Sequence, residues 1–156
     1  MSKENTCCFT GHRILGPDIS AKRLRDGIEY LVSMGVDTFI CGGAIGFDTL
    51  CAKTVLEAKE LHPHIKLHIY APCRLQDAKW GLKDKLTYKD ILAKADFVDM
   101  PSESYYDGCM KVRNYKMVDA SKYCICYMNN PRSGTGQTYS YAKRQGLTVY
   151  NLAGKL

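Results

Sequence analysis

No run of this chain is apolar for long enough to cross a bilayer as a helix, and its first residues, MSKENTCCFTGHR, lack the roughly 7 to 15 apolar residues and small-residue cleavage site of a secretion signal. The pattern argues against membrane insertion, and a cytoplasmic protein is expected. Metal chemistry has equally little to build on. There is no C-x-x-C pair among the 8 cysteines, and the one histidine cluster, His62-Pro-His64 with His68, falls where a helix is expected to give way to a strand. No metal site is expected. Acidic residues are missing from Asn129 to Leu156, where Arg132, Lys143, Arg144 and Lys155 remain. That end of the chain either tolerates an anion or presents a solvated basic face. Internal repeats, low-complexity tracts and linkers are absent too, so the 156 residues read as one domain.

What is present is an ordinary globular composition, 46% hydrophobic and 24% charged with a net charge of +6. Short apolar runs alternate with segments of helical period. Strands are predicted at 6–10, 37–41, 66–72, 96–100, 123–128 and 147–152. Helices are predicted over about 19–34, 47–61, 88–94, 107–121 and 136–145. Asp18, just after Pro17, is the expected cap of the first helix. Cys7, Cys8, Cys41, Cys124 and Cys126 sit in strand-like surroundings, as reduced core thiols do. Near-continuous apolar strands alternating with helices predict an α/β Rossmann-like three-layer sandwich, a mostly parallel sheet with helices on both faces.

In such a sheet, ligands bind beyond the carboxyl ends of the strands where strand order reverses, which directs attention to the loops after the first, second and fifth strands. These loops are TGHR (10–13), GGAIGFD (42–48) and NPRSGTGQT (130–138). Gly42, Gly43 and Gly46 allow φ > 0 and close backbone approach, and a helix start follows, an arrangement that suits a phosphate or merely a tight turn. Asp48 is read as a helix-start cap, a ribose ligand or an acid/base group. The second loop, with Ser133, Gly134, Thr135 and Thr138, repeats the chemistry and tips the balance toward phosphate or nucleotide binding. From the first loop, Thr10, Gly11 and Arg13 join the candidate set, the arginine as a bidentate phosphate contact.

The segments TGHR, GGAIGFDTLCA, APCRLQDAKW, YKDILAKAD, MKVRNYKMVDAS and SGTGQTYSYAKRQG, in this order between Phe9 and Leu152, resemble the SLOG superfamily. The middle block, with Gln76, Trp80, Tyr88 and Asp96, is similar to its YpsA-like branch. The resemblance implies a Rossmann-like fold that binds nucleotide-derived ligands. Two further relatives pull in different directions. The lonely-guy phosphoribohydrolases are similar at Met110, Arg113 and Met117, which implies a ligand role for Arg113. Their glutamate has no counterpart, because its place falls at Tyr141. The DNA-processing protein of bacterial transformation, which binds single-stranded DNA, is similar at GGAIGFDTLCA and the SGTGQT loop.

From helical period alone, Arg113 and Asn114 would be ordinary exposed residues. The resemblance adds both to the ligand-binding set. Trp80, Tyr105 and Tyr106 either stack on a base or cover a core edge. The expected partner is a small nucleotide derivative, with no certain cofactor. Nucleotide N-glycosidic hydrolysis, with Asp48 or another acid in place of the missing glutamate, is the enzyme alternative, and single-stranded DNA is the second alternative because 16 acids offset 22 bases. A homo-oligomer is compatible with the sequence.

Overall fold

The computed structural model describes residues 1–154. After a 3-10 turn at Lys3–Asn5, six strands and five helices alternate: β1 (Thr6–Gly11), α1 (Ala21–Ser33), β2 (Thr38–Cys41), α2 (Phe47–Leu61), β3 (Lys66–Tyr70), α3 (Leu82–Lys94), β4 (Phe97–Asp99), α4 (Cys109–Asp119), β5 (Tyr123–Tyr127), α5 (Gly134–Arg144) and β6 (Thr148–Asn151). The sheet order is β4-β3-β2-β1-β5-β6 and every pairing is parallel. The chain builds outward from β1 to β4, then returns to β1 and builds outward the other way. The reversal lies between β1 and β5, whose carboxyl ends open a crevice.

Alternation along the strands divides the core into two layers. Cys7, Phe9, Phe39, Cys41 and Ile125 face Leu24, Ile28 and Leu31 of α1 and Phe47, Cys51 and Val55 of α2. Cys8, Ile40, Cys124 and Cys126 face Met117 and Val118 of α4 and Ala142 of α5. Each fully buried leucine or phenylalanine contributes about 1.5–3 kcal/mol relative to exposure. All eight cysteines are buried and unpaired.

Several element boundaries differ from the sequence expectation by a residue or more, and three of the differences have a clear cause. Ser20, not Asp18, caps α1, accepting from the Arg23 N–H, while Asp18 accepts from the Tyr127 hydroxyl and the Gly154 N–H. The turn after Pro17 thus ties the first loop to β5 instead of starting a helix. Helix α3 begins six residues before Tyr88; its first turns carry Leu82 and Leu86 at 74% and 57% exposure, so no apolar stripe marks them. Helix α5 begins at Gly134, two residues early, because Ser133 caps it by accepting the Gly136 N–H.

Candidate functional site

A cavity of about 950 Å³ opens at the carboxyl ends of β1, β2 and β5. Its floor is made by Phe9, Thr10 and Gly11 from β1, its walls by the loops after β1, β2 and β3 and by α4, and its rim by the start of α5. The charged residues lining it are Arg13, Asp48, Lys79 and Arg113, three bases to one acid.

Arg113 is the deepest of these, at 4% exposure. One Nη donates to the carbonyl oxygens of Gly42 and Tyr70, and Nε donates to Oδ1 of Asn114. The other Nη meets only the Met110 sulfur, at 3.7 Å, a weak acceptor. Backbone carbonyls from the ends of β2 and β3 therefore hold one side of the guanidinium, and the other keeps donor capacity toward the cavity. Burial draws its pKa down and the Asp48 carboxylate pushes it back up, so the group stays charged at neutral pH.

Asp48 sits in the first turn of α2 at 7% exposure, with Oδ2 accepting from the Ala44 N–H at 3.2 Å. Burial pushes its carboxyl up to about 6, against the pull of Arg113 and of the Ala44 N–H. The two side chains meet at Gly42, where a Cβ would lie 2.5 Å from Nη1 of Arg113 and 2.9 Å from Oδ2 of Asp48.

The cavity brings together Thr10, Gly11, Arg13, Asp48, Arg113, Asn114, Ser133, Gly134 and Thr135. Gly42, Gly43 and Gly46 lie behind the wall. The close approach they permit is made by the protein itself: Arg113 and Asp48 at Gly42, the Tyr88 ring 2.9 Å from a Cβ at Gly43, and the Arg13 backbone at Gly46. Gly43 and Gly46 also hold positive φ, 74° and 93°. Thr138 is 1% exposed and donates to the Gly134 carbonyl, placing it inside α5 rather than in the main cavity. Trp80 and Tyr105 line the cavity, with Trp80 set edge-on to Tyr88 at 5.2 Å, whereas Tyr106 does not line it. Tyr141 stacks on Tyr115 and donates to Asp119, outside the cavity.

Sequence reasoning missed His12. Its Nε2 accepts from the Asn129 N–H at 3.0 Å, and since a backbone amide can only donate, the ring proton sits on Nδ1. His12 lines the cavity. Its place between Gly11 and Arg13, in a loop already singled out, was the available signal. Among the described residues, no group of three or more His, Cys, Asp or Glu side chains is arranged to hold a metal ion. No helix among them is long and apolar enough to cross a membrane.

A sequence profile of the YspA SLOG family matches residues 17–151. The chain belongs to this family. Its relatives include a UPF0398 protein of Halalkalibacterium halodurans, 28% identical over 145 residues that cover 90% of this chain and 77% of that one. The prophage-derived YoqJ of Bacillus subtilis is 33% identical over 119 residues, covering 68% of this chain and 69% of its own. Among solved structures, DNA processing protein A of Helicobacter pylori, described with a single-stranded DNA binding mode, superposes with a TM-score of 0.72 at 18% identity, over 99% of this chain and 67% of that one. The Streptococcus pneumoniae protein gives 0.72 at 19%, and the SLOG chain spans 52% of its length. At these identities the likeness is one of fold.

Proposed function

We propose that this SLOG protein binds a phosphate-bearing nucleotide or nucleotide derivative in the cavity at the carboxyl edge of its sheet, acting as a sensor or regulatory protein. The observation that carries the reading is Arg113: a charged group at 4% exposure that lines the cavity, with one Nη tied to backbone carbonyls, Nε tied to Asn114 and the other Nη left with only a sulfur acceptor. Burying such a charge is costly unless acceptors and anions meet it; Asp48 is one such anion, and the Nη that has only a sulfur acceptor suits a second. Ser133 occupies one orphan N–H of α5, and those of Gly134 and Thr135, residues that line the same cavity, donate to no backbone carbonyl. Trp80 and Tyr105 supply aromatic wall for a base. A thermal-shift panel of nucleotides, followed by native mass spectrometry of protein purified without added ligand, tests this. A nucleotide that raises the melting temperature supports it, and a flat panel overturns it.

A second reading, nucleotide N-glycosidic hydrolysis, is favoured by Asp48 itself: a carboxyl with a pKa of about 6 in the cavity wall suits general acid/base work near neutral pH. The place of the phosphoribohydrolase acid, Tyr141, faces away from the cavity, so Asp48 would act alone. Release of base from AMP, GMP or CMP, lost in Asp48→Asn, would promote this reading. The structural likeness to DNA processing protein A supports a third, single-stranded DNA, which a cavity lined by three bases and one acid suits less well than a densely basic groove does.

A further inference from the structure

One wall of the main cavity differs in chemistry from the rest. The loop after β1, helix α4 and the start of α5 bring to the cavity cations and N–H groups, whereas the segment after β3 brings Pro72, Leu75, Gln76, Ala78, Lys79 and Trp80. This wall is mostly apolar and carries the one tryptophan of the chain. It is also pinned in place. The N–H groups of Arg74 and Leu75 donate to the carbonyls of Ser102 and Glu103 at 2.8 and 3.1 Å, and Gln76 Nε2 donates to the Tyr88 hydroxyl at 3.1 Å. A fixed apolar wall with an aromatic ring is where a base packs, and the phosphate then falls to the donors on the other sides.

The polar side-chain groups that this wall can turn toward a base are all donors. Among the described residues, Lys79 pairs with no carboxylate, and the indole N–H of Trp80, a donor only, meets no acceptor. Gln76 spends Nε2 on the Tyr88 hydroxyl and the Gly42 carbonyl, and its Oε1 is buried without a partner, so its amide offers the cavity no acceptor. Asp77, the one carboxylate of the segment, does not line the cavity. Arg74 is paired with Glu103, and neither lines it.

Bases differ in what they present to such a wall. Guanine and hypoxanthine carry two adjacent acceptors, O6 and N7, which one lysine meets together. Adenine keeps N7 but has an amino donor in place of O6, and a donor turned toward Lys79 and the Trp80 N–H is left unmet by any side chain of the wall. We infer that the cavity selects a 6-oxopurine nucleotide over its 6-amino counterpart, with Lys79 and Trp80 as the residues that set the preference. The inference rests on the nucleotide reading above and goes further by naming the class of base.

Isothermal titration of the protein with GMP, IMP and AMP tests it, with the emission of Trp80 followed in parallel. GMP and IMP should each bind about fivefold or more tightly than AMP, the lower worth of a matched pair of contacts to a base edge. All three should change the emission of Trp80, because the base packs on its wall. Lys79 is exposed, so its substitution leaves the fold intact. Lys79→Met should weaken GMP and IMP more than AMP and bring the three within about twofold of one another, and Lys79→Arg should keep the preference. The inference is overturned, and the nucleotide reading stands, if AMP binds as tightly as either 6-oxopurine, if Lys79→Met weakens all three by the same factor, or if saturating nucleotide leaves the Trp80 emission unchanged. If none of the three binds, the nucleotide reading falls and takes this inference with it.

Discussion

Arg113 donates to the carbonyl oxygen of Gly42, 71 positions earlier in the chain. The same Nη reaches the carbonyl of Tyr70, so one side chain from α4 closes the ends of β2 and β3. The residue that best suits an anion is therefore also a brace of the cavity wall.

That double role governs the first prediction. Arg113→Ala leaves two buried carbonyls without their donor and removes the positive charge near Asp48, and the two unmet acceptors alone cost about 2–6 kcal/mol. Urea melts without ligand should show this loss directly. Arg113→Lys keeps the charge but not the fork, and its stability should lie between. Ligand binding by either variant has meaning only after this loss is measured.

The second prediction concerns pH. The Asp48 pKa is raised by burial from 3.8 to about 6, so between these values the folded state holds a proton that the unfolded state has released. Stability from this group is present at low pH and is lost as pH rises through about 6. Asp48→Asn cannot ionise. Relative to wild type, the variant should gain up to about 2–3 kcal/mol between pH 4 and pH 7, a difference measurable by paired denaturant melts. A constant difference across that range would show that Asp48 is not held in this environment.

A third prediction separates the glycines. Gly42→Ala brings a Cβ to 2.5 Å from Arg113 and 2.9 Å from Asp48, and Gly43→Val adds strain at φ 74° beside Tyr88. Both should lower the melting temperature by several degrees, as a loss of about 1–3 kcal/mol does in a domain of this size. At Gly81 and Gly134 a Cβ meets nothing within 4 Å, so Gly81→Ala and Gly134→Ala should melt as wild type does.

A fourth prediction distinguishes polyanion from small ligand. A mononucleotide held by one buried arginine and backbone N–H groups should lose little affinity between 50 and 200 mM salt, whereas an oligonucleotide engaging about 6–10 phosphates would lose roughly 10³–10⁵. Fluorescence anisotropy with labelled oligonucleotides, with and without competing mononucleotide, measures it. Tight oligonucleotide binding that survives competition at near-physiological salt would make DNA the better answer.

The strands and the fold were legible because buried parallel strands are written as unbroken apolar runs, as in TCCFT and YCICY. The two loops that meet the cavity from β1 and β5 were legible from strand order and glycine content. What eluded sequence reasoning depends on partners distant in the chain. Arg113 has the spacing of an exposed helical residue, and its burial is made tolerable by the Gly42 and Tyr70 carbonyls and by the Asp48 carboxylate, all distant in the chain. The glycines of GGAIGFD signalled close approach correctly, but the approaching groups are the protein's own. Helix α3 was read six residues short because Leu82 and Leu86 spend their apolar surface on solvent.

The eight buried thiols carry one more consequence. Cys7, Cys41, Cys51 and Cys124 are held as neutral thiols by pKa values pushed well above 9.0, by burial and by neighbouring groups. In the native state these groups offer an alkylating or oxidising reagent almost no thiolate. A reagent can consume them only when the sheet comes apart, so the rate of labelling becomes a clock for opening of the native state. A bound ligand would slow that clock, and in an ageing preparation these thiols would oxidise to sulfenic acids or cross-link as disulfides only through its rare unfolded molecules.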